Sequence, residues 1–192
     1  LPFHSFADLS HPVSGDQQIP YEHPSCLKLL LEFPLHPETP DAGLSLDELL
    51  KGRGYDIEVM KQRMSGLMAE EKLPYANRSH TYNSRLAQEL SKWGESFPEG
   101  EELNLKLFEA YFVDGYNLAD PEVLLDVTQA ASLSSEVAEG VIRERLFQDA
   151  VNADWQRAHE FGVTGVPTFV SGRHGLVGAQ PYEALEQLIQ VE

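Results

Sequence analysis

Hydrophobic positions along this chain change rhythm twice. Leu27-Lys28-Leu29-Leu30-Leu31-Glu32-Phe33 is a short apolar run closed by Pro34, the pattern of a buried strand. Pro34-Leu35-His36-Pro37-Glu38-Thr39-Pro40 then predicts an extended loop, because each proline disfavours helix at the residue before it. From Ser45 the spacing becomes helical, and Ser45 with Glu48 forms a capping-box signature. Ile57, Met60, Met64, Leu67 and Met68 recur on one helical face. That face reads as core, with a soft methionine ligand stripe as the alternative. Residues 80–93 predict another helix, and Leu103, Leu107, Phe108, Tyr111 and Phe112 mark a strong one. Asp120 caps a helix whose first residue is Pro121, and Ser134 or Ser135 starts the next. Phe147, Ala150, Val151, Trp155, Ala158 and Phe161 form the apolar face of a last long helix, ended by Gly162.

Strand character then returns. Thr168-Phe169-Val170, a turn at Ser171-Gly172-Arg173, and Gly175-Leu176-Val177 predict a hairpin. Residues 181–191 follow as a helix with Tyr182, Leu185, Leu188 and Ile189 on one face. Strand material, a long helical block, then strand, hairpin and helix make an α/β chain with a helical insertion. No internal repeat or low-complexity segment interrupts it.

Composition narrows the function classes. The 192 residues suit one domain with a sizeable insertion. A net charge of −17 argues against a nucleic-acid binder, which needs clustered Lys and Arg, and disfavours anionic membrane surfaces. No apolar run approaches the roughly 20 residues that span a bilayer. Leu1-Pro2-Phe3-His4-Ser5 shows no basic region followed by an apolar stretch, so no secretory leader is expected. The single cysteine, Cys26, suits a reducing compartment, and a cytoplasmic location is expected. His4, His23, His36, His80, His159 and His174 lack metal-site spacing, so no metal is expected. Composition leaves the oligomeric state open.

The most informative run is Gly162-Val163-Thr164-Gly165-Val166-Pro167-Thr168-Phe169-Val170. A proline at the mouth of a strand leaves its predecessor's backbone groups free to meet a ligand. The run resembles the cis-proline loop of thioredoxin-fold proteins. Other motifs occur in order with it: 33–40 (FPLHPETP), 81–87 (TYNSRLA), 110–115 (AYFVDG), 120–125 (DPEVLL) and 178–182 (GAQPY). Together, over residues 27–191, they are similar to a cytosolic, FrnE-type branch of the DsbA-like thioredoxin-domain family. Relatives of that family include kappa-class glutathione transferases and 2-hydroxychromene-2-carboxylate isomerases.

The resemblance implies a thioredoxin-like fold with an inserted all-helical domain. Residues 1–44 and 162–192 would form the thioredoxin-like part, and 45–161 the insertion. It also implies a thiol–disulfide oxidoreductase. Dithiol exchange needs an attacking thiolate and a resolving thiol, and the family carries both in a Cys-Pro-x-Cys at a helix start. When 6–14 (FADLSHPVS) is laid over that opening, Asp8 and Pro12 match while His11 and Ser14 replace the cysteines. Ser14 then reads either as a helix cap or as the hydroxyl that holds glutathione's thiolate in a glutathione-dependent isomerase or transferase. His11 reads as a general acid or base, or as a solvent-facing histidine. Cys26 is expected to be half-buried and inert. Pro167 is the leading site candidate, with the Val166 backbone and Thr168 lining a substrate groove. Tyr82, Asn83 and Arg85 either reach that groove or simply open a helix. Expected ligands are thus a thiol-bearing small molecule such as glutathione, or an extended peptide. A redox-inactive binding module remains the further alternative.

Overall fold

A computed structural model describes residues 30–190. Their elements run β1 (Leu44–Ser45), α1 (Leu46–Leu50), α2 (Ile57–Glu70), β2 (His80–Thr81), α3 (Arg85–Gly94) and α4 (Gly100–Phe112). There follow α5 (Pro121–Ala130), α6 (Ser135–Arg143), α7 (Gln148–Glu160), β3 (Thr168–Ser171), β4 (His174–Val177) and α8 (Tyr182–Gln190). The chain divides into two compact units. One is His36–Ala153; the other takes, of the described residues, 30–35 and 154–190, so the division falls inside α7.

The His36–Ala153 unit is helical because its sequence supplies starts and apolar stripes in register. Ser45 and Glu48 complete the reciprocal capping box of α1, and Asp56, Asp120 and Ser134 cap α2, α5 and α6 through their side chains. Helix α3 packs against α4 and α6, and α5 packs against α4 and α6 in turn. Leu90, Leu103, Leu107 and Leu124 are fully buried between them. Each contributes roughly 1.5–3 kcal/mol relative to exposure.

Three local expectations change. Residues 80 and 81 do not open a helix: they pair antiparallel with Ser45 and Leu44. That pairing carries the start of the helix forward to Arg85. The face expected to be core on α2 is not: no α2 residue is buried, and Met60 and Leu67 stand 44% and 46% exposed. Residues 34–40 fold into turns rather than running extended, with Thr39 N–H donating to His36 O and Gly43 N–H to Pro40 O. Of the expected first strand, residues 27–29 lie outside the described residues and 30–33 join no ladder among them.

One buried charge organises the helical unit. The Glu89 side chain is 1% exposed and accepts from Arg85 Nε at 2.7 Å and from Arg145 Nε and Nη2 at 2.7 and 2.6 Å. Arg85 Nη2 also donates to Gln148 O and Asn152 Oδ1, at 2.8 and 2.7 Å. Burial alone would raise the Glu89 carboxyl, but the bonds and charges of Arg145 and Arg85 outweigh it and hold it below its usual 4.5.

In the second unit, β3 and β4 form the expected hairpin, in register from Thr168↔Val177 to Ser171↔His174. The two-residue turn places Gly172 first at φ +57°, as a type II′ hairpin requires. Helix α8 covers this hairpin with Leu185 and Leu188 buried. The Glu32 N–H is buried and donates to Asp154 Oδ2 at 3.1 Å. Among the described residues, no helix is long and apolar enough to cross a membrane.

Replacing Glu89 by Gln leaves two arginines without a counter-charge and is expected to cost about 3 kcal/mol in urea unfolding. The lowered Glu89 carboxyl contributes fully above its unfolded value. That contribution drains away as pH falls through the lower folded value. The gap between wild type and Glu89→Gln therefore closes in acid, as urea midpoints across a pH series will show. Ser132, exposed at the end of α5, holds φ +62°. Ser132→Gly is expected to stabilise by about 0.5–1 kcal/mol, read as a raised Tm.

Candidate functional site

Helix α7 stops where its backbone turns left-handed. Gly162 N–H donates to His159 O at 2.9 Å and Val163 N–H to Ala158 O at 3.0 Å, with Gly162 at φ +68°. These two bonds are the Schellman pattern, which satisfies the last carbonyls of the helix. At Gly162 a side chain would cost roughly 1–2 kcal/mol in that conformation. The chain leaves the helix here and reaches β3 at Thr168.

Two clasps hold the segment between them. Thr168 Oγ1, on a residue 9% exposed, donates to Gly165 O at 2.6 Å. Gly178 N–H, just past β4, donates to Pro167 O at 2.7 Å. Gln180 Nε2 in turn donates to Val177 O at 2.7 Å, fixing the segment that carries Gly178. The Val166–Pro167 peptide bond is cis. Between the clasps stands Val166, whose backbone N–H and C=O have no partner among the described residues. Such groups on a half-exposed segment are available to an external strand or ligand backbone.

Val166, Pro167 and Thr168 lie on the segment that leads into β3. Ser14, His11 and Cys26 lie outside the described residues. Asn83 and Arg85 make their bonds inside the helical unit: Asn83 Nδ2 donates to Thr39 O, and Asn83 Oδ1 accepts from the Arg85 N–H, both at 2.9 Å. These are helix-start and loop-bracing bonds. The parts of the site that sequence reasoning missed are its clasps, the Gly165 carbonyl and the Gly178 amide. Gly178-Ala179-Gln180-Pro181 was visible as a motif, but its bond to Pro167 spans a hairpin and has no local signal.

A mixed α/β chain with this loop and a block of inserted helices is a thioredoxin-fold protein. The family model for DSBA-like thioredoxin domains matches residues 30–190, and the chain belongs to that family. It is 27% identical over 114 residues to the uncharacterized protein YwbO of Bacillus subtilis, a match covering 59% of this chain and 56% of the relative. The chain thus spans little more than half the length of that curated relative. Its structure is similar to that of a probable DsbA oxidoreductase from Streptomyces coelicolor, with a TM-score of 0.74 at 25% identity, covering 81% of this chain and 70% of that one. A candidate protein disulfide isomerase from Nitrosomonas europaea shares the fold, with a TM-score of 0.59 at 16% identity over 77% of this chain and 74% of that one.

Thr168→Val keeps the side-chain shape but removes the donor to Gly165. It is expected to destabilise by about 1 kcal/mol. Hydrogen exchange at residues 163–167 should rise with it, whereas the helical unit should exchange as before.

Proposed function

We propose that this protein works in the thiol chemistry of the DsbA-like oxidoreductases, with the Val166–Thr168 segment holding an extended, thiol-bearing substrate. The observation that carries this reading is the pair of unspent backbone groups on Val166, flanked by carbonyls already taken at Gly165 and Pro167. One N–H and one C=O on the same residue match the backbone of an extended peptide, or of glutathione, laid alongside as an added strand. The hairpin and the two clasps keep that edge in shape before a ligand arrives, so little ordering cost falls on binding.

The sequence contributes a single thiol, Cys26. Exchange that finishes within one molecule needs two. The residues at hand therefore support substrate capture, and the hydroxyl of Ser14 supports a glutathione-dependent variant of the same chemistry. The charge of −17 favours solubility.

Calorimetry with glutathione and with a cysteine-containing extended peptide tests the reading. Binding of either is expected, and Pro167→Ala should weaken it about tenfold, close to 1.4 kcal/mol. Absence of heat with both ligands at millimolar concentration, or equal affinity in the variant, would sink it. An insulin-reduction assay separates capture from turnover: a rate above the reductant alone that survives Cys26→Ser would require thiol-independent chemistry.

A further inference from the structure

A second site candidate lies within the helical unit, where the residues before β2 meet the C-terminal end of α4. A cleft of about 250 Å³ opens there, lined among others by Arg78, His80, Tyr82, Tyr111, Phe112 and Asp114. Its back wall is braced by bonds that leave one charged group only half used. Ala76 N–H donates to Phe112 O at 2.9 Å, and Thr81 Oγ1 lies 3.1 Å from the Tyr111 hydroxyl.

Arg78 is the centre of the cleft. Its Nη1 donates to His80 O at 3.2 Å and to the Tyr111 hydroxyl. Its guanidinium carbon sits 4.8 Å from the Tyr111 ring centre and 5.8 Å from that of Phe112. A guanidinium has five N–H donors, and Nη1 supplies only two of them. The Nε–Nη2 edge has no partner among the described residues, and no carboxylate there pairs with Arg78. In a chain with 31 acidic and 14 basic residues, a cation without an acidic partner is not explained by lack of supply. The ring contacts and the Nη1 bonds fix the orientation of the fork, so it is pre-organised for a planar oxyanion.

The surroundings narrow the ligand. Asp114 on the lining opposes a second negative charge on a ligand. The rings of Tyr82 and Phe112 offer apolar surface beside the fork. The volume lies just under the roughly 300–1,000 Å³ of drug-sized pockets, which limits the occupant to a small molecule.

We propose that this cleft binds a small organic monocarboxylate, its carboxylate forked on the Nε–Nη2 edge of Arg78 and its flat apolar body against Tyr82 and Phe112. The cleft belongs to the helical unit, and the proposal stands or falls independently of thiol chemistry.

Benzoate is the probe, with benzamide as its neutral isostere and inorganic phosphate as the anion without an apolar body. An NMR titration of the 192-residue chain follows the aromatic signals of Tyr82, Tyr111 and Phe112. Benzoate should shift them saturably with a millimolar Kd, and benzamide and phosphate should each bind about tenfold more weakly or less. Arg78→Lys keeps the charge but loses the fork, and should weaken benzoate by about tenfold. No saturable shift, equal binding of benzamide or phosphate, or unchanged affinity in Arg78→Lys would each overturn the proposal. If Arg78→Lys fails to fold, the comparison of the three ligands on the wild-type chain still decides.

Discussion

A carboxylate withdrawn from water sets the terms for the helical unit. Glu89 cannot be ionised and buried unless cations surround it, and Arg85 and Arg145 meet that need from opposite sides in sequence. The arrangement is directional: Arg145 offers two donors in a fork, and Arg85 divides its donors between Glu89 and the first turns of α7. Apolar packing among α3, α4, α5 and α6 supplies the bulk of the stabilisation. It is nonspecific about rotation and register, whereas three charged groups at 2.6–2.7 Å are not. The ion cluster therefore ties α3 to Arg145 and the start of α7 in one fixed geometry.

The candidate substrate segment follows the opposite logic. There backbone hydrogen-bonding capacity is spent on either side of Val166, while both of its own groups have no partner among the described residues. Schellman bonds close α7, Thr168 and Gly178 take the carbonyls of Gly165 and Pro167, and the hairpin ladder takes the groups beyond. What remains at Val166 is one donor and one acceptor with no local use. Arg78 offers a side-chain version of the same pattern in the helical unit: rigid fixation of part of a polar group, with the rest left open. In both places the fold holds hydrogen-bonding capacity in position without consuming it among the described residues.

Elements whose cause is local were legible in the residues. The capping box at Ser45 and Glu48, the Asp120-Pro121 start, the Ser134 cap and the Gly172 hairpin turn each depend on a few neighbouring residues. Residues 80–81 were misread because their partner strand lies more than thirty residues earlier, and helical periodicity carries no trace of such pairing. The methionine face of α2 was misread for a related reason. Amphipathic spacing shows that a helix has an apolar side, but not that another element lies against it. The clasps on the candidate segment escaped too, since the Gly178 amide and the Pro167 carbonyl meet only once the hairpin has closed.

By itself the sequence determined the helix starts at Ser45 and Asp120, the stop at Gly162, the hairpin, the family resemblance and the proline-led loop. All of these are written in short-range chemistry: caps, φ preferences and missing donors. Tertiary structure alone decided that Glu89 is buried and doubly paired, and that the Arg78 edge and the Val166 backbone groups have no partner among the described residues. Those outcomes turn on which distant atoms arrive within 3 Å of one another. A one-dimensional pattern limits that choice but cannot make it, because burial and pairing are properties of the assembled chain.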